Sequence, residues 1–287
     1  MALPTPIEAA PWKKQFAEHL ERVGGPGAQF TLATVSPAGY PRARTCIFRG
    51  FWTNLRENAK SEIPPNPTIY ESDCPTFTTD GRMSKVLDIF ASGNAQDDLA
   101  HRRSGSGGGG PVEAVYFIRD TMTQWRIQGK CWLVAADDIE GEGDSNPNFG
   151  RVKAEVGRYM RPVGEHASKR SDWSWKREVE NHFENMSPAM RGTFKNPPPG
   201  KPIIADGGET SGEALGQEAG HLRDEELARR NFRVCIITPE QVEQVDLHDP
   251  SRTRRWVYAL VDAAEGQPES PEHSKPIRHW NVVEVWP

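Results

Sequence analysis

Arg42-Ala43-Arg44-Thr45-Cys46-Ile47-Phe48-Arg49-Gly50-Phe51 is the stretch on which the reading of the fold turns. Phe30 to Val35 before it is β-prone, and Ser36-Pro37-Ala38-Gly39 between them carries turn residues. Together they read as a β-hairpin whose returning strand is Arg42 to Phe51. A second stretch, Phe77-Thr78-Thr79-Asp80-Gly81-Arg82-Met83-Ser84-Lys85, runs from a short strand into a helix start. In both stretches cationic side chains stand beside apolar, β-prone residues. A phosphate-bearing aromatic cofactor needs that combination.

Outward from these segments the pattern stays largely β. Trp12, Phe16, Leu20 and Val23 recur at helical spacing, and Gly24-Gly25-Pro26 ends that helix. Strands are expected at Val112–Arg119, Gln124–Ala135, Phe232–Ile237, Val242–Leu247, Trp256–Val261 and Val282–Trp286, with helices near Ser84–Phe90, Arg151–Met160 and Trp173–Phe183. Some nine strands with few helices between them favour an antiparallel barrel with peripheral helices over a doubly wound α/β fold. The chain of 287 residues is read as a single domain, 1–287, with flexible insertions near 92–111, 137–150, 196–228 and 262–276. The first contains four consecutive glycines, a composition that buries too little apolar surface to offset its ordering entropy.

Composition removes several classes of function. A formal charge of −5 and a pI near 6.0 argue against a nucleic-acid coat or a polybasic membrane binder. No stretch approaches a membrane span, and the first residues lack the pattern of an export signal. Cys46, Cys74, Cys131 and Cys235 stand far apart, which suits reduced thiols in a cytoplasmic protein. The histidines form no metal-ligand spacing, and no GxSxG element is present for nucleophilic hydrolysis.

Four segments in order carry a family resemblance: Arg44-Thr45-Cys46-Ile47-Phe48-Arg49, Phe77-Thr78-Thr79, Lys85 opening a helix, and Gln124-Trp125-Arg126-Ile127-Gln128-Gly129. The chain resembles pyridoxamine 5′-phosphate oxidase-like proteins, which implies a mainly β FMN-binding split β-barrel with peripheral α-helices. The resemblance implies FMN as cofactor, with its phosphate on Arg44 and Lys85 and with Arg82 or Ser84 as helpers. Guanidinium forks, an ammonium and a helix start are suited to that dianion. It further implies that Thr45, Cys46, Ile47, Phe48 and Arg49 line the flavin with Thr78 and Thr79, and that Gln124 adds an amide. A homodimer with FMN at the subunit interface follows from the same resemblance, with Arg255 completing the site near the C-terminus. The tryptophan that the family places near Arg229 is missing.

The substrate side departs from the family. Pyridoxamine 5′-phosphate oxidases hold the substrate phosphate with a lysine, a tyrosine, an arginine and a serine. Here the corresponding residues are Arg49, His182, Met186 and Met190. Two methionines cannot bind a phosphate dianion, so a substrate other than a B6 phosphate is expected, with Arg49 and Arg191 as candidates to hold an anionic group. The reading is an FMN-dependent oxidoreductase of a less characterised branch, acting on a small molecule. The alternative is a flavin carrier or sensor without turnover.

Overall fold

The computed structural model describes residues 7–55, 61, 63–93, 105–139, 147–163, 171–202, 222–262 and 278–287. The central parts of all four expected insertions lie outside these residues. Helix α1 (Lys13–Glu21) is followed by β1 (Gln29–Val35), β2 (Pro41–Phe51), β3 (Tyr70–Glu71), β4 (Pro75–Asp80) and α2 (Ser84–Ser92). Then come β5 (Gly107–Ile118), β6 (Thr123–Val134), α3 (Pro147–Gly157), β7 (Arg161–Pro162), α4 (Trp175–Glu184) and α5 (Pro188–Gly192). The chain ends with α6 (Leu222–Asn231), β8 (Phe232–Asp246), β9 (Arg254–Asp262) and β10 (Arg278–Val285).

Six strands close on themselves in the order β8-β4-β2-β1-β5-β6, with β6 pairing back onto β8. Closure gives every strand of the barrel a neighbour on both sides, although the β2–β4 ladder is short. One edge of β8 is shared, since Phe232–Ile236 pairs with β4 and Gln241–Asp246 pairs with β9, which carries β10. The chain is therefore a mainly β barrel with peripheral helices, as its sequence pattern implied, and a split barrel, as the family resemblance implied.

Alternation along the strands separates an inner from an outer face. Phe30, Leu32, Cys46, Phe48, Ala114, Tyr116, Trp125 and Ile127 point inward and are buried, whereas Thr31, Thr45, Val115 and Arg126 between them face out. Helix α1 closes one mouth. The Phe16 ring, fully buried, meets those of Phe48, Phe51, Tyr116 and Trp125 edge-on at 5.0–6.3 Å.

The structure revises two local expectations. Gly107 to Pro111, read as part of a flexible insertion, is the first part of β5 and lies between α2 and β6. A β-carbon on Gly109 (φ +84°) would lie 2.5 Å from the Trp132 ring. Bare backbone lets α2 and Trp132 approach β5, and burial of Ile89, Phe90 and Trp132 offsets the ordering entropy. The second revision joins the two strands expected at Phe232–Ile237 and Val242–Leu247 into β8 alone. Pro239 does not interrupt it because the β6–β8 register shifts there, between Gln128 and Gly129. Gly129 is required at that point, since a β-carbon would collide with the Thr238 carbonyl.

Candidate functional site

The β2–β4 ladder pairs Phe48 with Phe77, Gly50 with Thr76 and Phe51 with Pro75, and it ends there. Beyond it, Cys46 and Ile47 on β2 are not laddered to Thr78 and Thr79 on β4. The facing strand edges thus open a slot, and at its end the chain turns into α2. Backbone donors and acceptors along such a slot can hydrogen-bond the polar edge of a planar ring. Thr45 and Ile47 face outward, while the Cys46 and Phe48 side chains are buried inside. Burial pushes the Cys46 thiol up to about 11, so it packs in the core and does not act as a thiolate.

The cations gather at the start of α2. Lys85, the second residue of that helix, is only 9% exposed. Its ammonium donates to Thr79 Oγ1 at 2.9 Å and approaches Met83 Sδ at 2.7 Å, both neutral partners. Among the described residues no carboxylate lies within ion-pair distance of it. Burial lowers its pKa, with a smaller lowering from the charge of Arg44. No side chain caps α2, so Ser84, exposed at its first position, adds a helix terminus that attracts anions.

Arg44 comes from the inward face of β2 and is held in place. Its guanidinium donates to Thr34 Oγ1 at 2.6 Å and to Asp88 Oδ2 at 3.3 Å. Asp88, one turn beyond Lys85 on α2, is fully buried and also accepts from Thr34 Oγ1 at 2.8 Å and Arg42 Nη1 at 3.2 Å. The sequence reading missed Asp88, Thr34 and Arg42. A carboxylate among the apolar Val86, Ile89 and Phe90 was the available signal, because a buried charge calls for a partner.

Three other predicted cations are already engaged. Arg82 forks onto the Asp80 carboxylate at 2.6–3.2 Å and donates to the Phe194 carbonyl at 3.1 Å. It would have to leave Asp80 to reach a phosphate. Arg191 pairs with Glu184 and lies over the Phe183 ring at 5.8 Å. Arg255 pairs with Glu243 at 2.7 Å.

Gln124 and Arg255 share one row of the outer sheet face, since both are paired with Val245. Opposed side chains of an antiparallel pair point to the same side. Arg44 projects from the inner face of β2 and Lys85 stands at the start of α2, and among the described residues no contact joins either of them to Gln124 or Arg255.

Arg49 stands apart from these groups, at the bulge between Phe48 and Gly50. Its Nε is buried and has no hydrogen-bond partner, and burial alone lowers its pKa. Its charge reaches His182 on α4, whose ring stacks on Trp52 at 5.9 Å and 10°. Burial, followed by the Arg49 charge, brings His182 down to about 3 and keeps it neutral. Thr78 Oγ1 meets Met186 Sδ at 3.9 Å. The structure therefore places Arg49 near His182 and Met186 near Thr78.

A family model described as pyridoxamine 5′-phosphate oxidase, FMN-binding domain matches residues 9–135, from α1 to the end of β6. Over this stretch the chain carries the FMN-binding domain of the pyridoxamine 5′-phosphate oxidase-like family. The cofactor of the matched domain is FMN. A pyridoxamine 5′-phosphate oxidase-related, FMN binding protein of Nostoc punctiforme is 21% identical, with a TM-score of 0.53. That match covers 98% of this chain and all of the other, and it shows the shared fold. The uncharacterized protein YGR017W of Saccharomyces cerevisiae is 20% identical over 90% of this chain and 95% of its own length.

The residues present fit FMN. Lys85 offers a buried ammonium with only neutral partners, Arg44 a fixed guanidinium, and α2 an uncapped start. These are the donors that a phosphate dianion needs. When bound, FMN supplies a ring system able to accept a hydride.

Proposed function

We propose that this chain is an FMN-dependent oxidoreductase acting on a small molecule, from a branch distinct from the classical pyridoxamine 5′-phosphate oxidases. The observation that carries the cofactor site is Lys85, a buried ammonium paired with no carboxylate among the described residues, beside Arg44 at the start of α2. In this reading Arg44, Ser84 and Lys85 hold the phosphate, and the strand edges at Cys46–Phe48 and Thr78–Thr79 orient the ring. Arg49 lies at the end of the slot, where a substrate would meet the flavin. Met186 and Met190 at the positions noted above argue against a B6 phosphate.

The active form in this proposal is a homodimer with FMN at the subunit interface. The outer sheet face that carries Gln124 and Arg255 exposes Phe117, Val283 and Val285, an apolar surface that a second copy would cover. Gln124 and Arg255 of the second copy would then complete a site that Arg44 and Lys85 begin. A cytoplasmic location accords with the four cysteines, none of them in a disulfide.

The test is the visible spectrum of the purified protein, with mass identification of what it releases on denaturation. The proposal predicts a yellow protein that releases FMN, with the bound flavin reduced by an amine or nicotinamide donor. A colourless protein that ignores added FMN overturns the cofactor assignment, and tightly held flavin inert to every donor overturns the catalytic one.

A further inference from the structure

Around Arg49 the structure leaves an excess of unpartnered buried polar groups. Arg49 Nε, Trp52 Nε1, Thr53 Oγ1, Trp173 Nε1 and His182 Nε2 are all buried and none has a hydrogen-bond partner. They belong to one corner of the molecule, where the Trp52 ring lies 6.0 Å from that of Trp173 and 5.9 Å from that of His182. Two of them are indole N–H groups and one is a guanidinium N–H, so donors prevail. Buried donors are normally satisfied, and a buried cation is normally paired. A ligand rich in acceptors would meet both requirements.

The charge of that ligand follows from the groups that face it. Among the described residues no carboxylate pairs with Arg49, which brings one positive charge. His182, only 2% exposed, is neutral and adds none. Glu178, one turn earlier on α4, is committed elsewhere, accepting from Thr53 N at 3.1 Å and Asn66 Nδ2 at 2.7 Å. Met186, buried beside Thr78, supplies a thioether and no donor. Arg49 brings a single positive charge, which matches a monoanion; a phosphate dianion would exceed it in a weakly solvated corner where Glu178, raised to about 7 by burial, already adds negative charge near neutral pH. The guanidinium fork also matches the two oxygens of a carboxylate.

We infer that the corner formed by Arg49, His182 and Met186 selects a singly charged carboxylate on an apolar body, and discriminates against phosphate esters. This rests on the proposed flavin site and names the substrate class for it. Arg49 binds the carboxylate directly, and the buried, neutral His182 limits the site to one charge.

The test uses FMN-loaded protein at pH 7.5, titrated calorimetrically with benzoate and with phenyl phosphate, which is mostly a dianion there because its second pKa is about 6. Benzoate is expected to bind at least about 10-fold more tightly. Arg49→Met should weaken benzoate about 10- to 100-fold, the loss of one charge-assisted hydrogen-bonding partner, and Arg49→Lys should retain most of the affinity. The flavin spectrum reports whether each variant is folded, since Arg49 is only partly buried. Absence of benzoate binding, phenyl phosphate binding as tightly as benzoate, or Arg49→Met within threefold of wild type overturns the inference. A protein that binds no FMN would instead overturn the cofactor reading on which this one stands.

Discussion

Lys85→Met separates a residue placed for a ligand from one placed for the fold. The ammonium is buried against Thr79 Oγ1 and Met83 Sδ with no counter-charge in contact among the described residues, and its pKa is lowered mainly by burial. Without FMN, that arrangement costs the fold the desolvation of a cation and returns one hydrogen bond. Methionine keeps the stem and removes the charge, so stability without FMN should be unchanged or higher by about 1 kcal/mol. The pH dependence has a definite sign. In the folded protein Lys85 gives up its proton more readily than in the unfolded chain, so wild-type stability without FMN rises with pH as the ammonium deprotonates, and the variant lacks that rise. With FMN the sign of the mutation's effect reverses. Loss of one charged hydrogen bond to the phosphate, worth about 1.5–3 kcal/mol, weakens FMN binding about 10- to 150-fold. Flavin fluorescence quenching measures the affinity, and urea unfolding without FMN measures the stability. An affinity within threefold of wild type, or a stability loss of about 2 kcal/mol or more, would refute the assignment.

Three other substitutions probe the surroundings. Glu178 is raised to about 7 by burial, so the folded state binds more protons than the unfolded one between about pH 4.5 and 7, and stability falls as pH rises through that window. The fall should approach about 3 kcal/mol, and Glu178→Gln should flatten it in thermal or urea unfolding run at pH 5 and pH 8. Gly109→Ala places a β-carbon 2.5 Å from the Trp132 ring at φ +84°; strain and overpacking together should cost about 3 kcal/mol in urea unfolding, with FMN affinity at saturating stability unchanged. Arg191→Ala removes a partly exposed pair with Glu184. It should cost no more than about 1 kcal/mol and leave benzoate affinity as in wild type, contrary to the expectation that Arg191 holds an anionic substrate.

What was legible in the sequence, and what was not, divides by the range of the contacts involved. The β2 hairpin, β4 and the start of α2 follow from turn residues and side-chain periodicity within fewer than sixty positions, so the slot and its two basic segments could be read directly. The glycine run could not. Its ordering depends on Ile89 and Trp132, which lie some twenty residues away on either side and pack on bare backbone only once α2 and β6 are in place. The continuity of β8 past Pro239 likewise depends on a bulge opposite Gly129, a hundred residues earlier. For the site, the sequence supplied the cations but not their availability. Of the six basic side chains singled out for the cofactor or substrate, Arg44, Arg82, Arg191 and Arg255 are held by Asp88, Asp80, Glu184 and Glu243, while Arg49 and Lys85 have no carboxylate partner among the described residues. Only Asp80 and Arg82 are close enough in the chain for their pairing to be guessed. A cation taken out of water without a counter-charge is costly, and that cost is why the proposed anion sites rest on Lys85, which is buried, and on Arg49, whose Nε is buried.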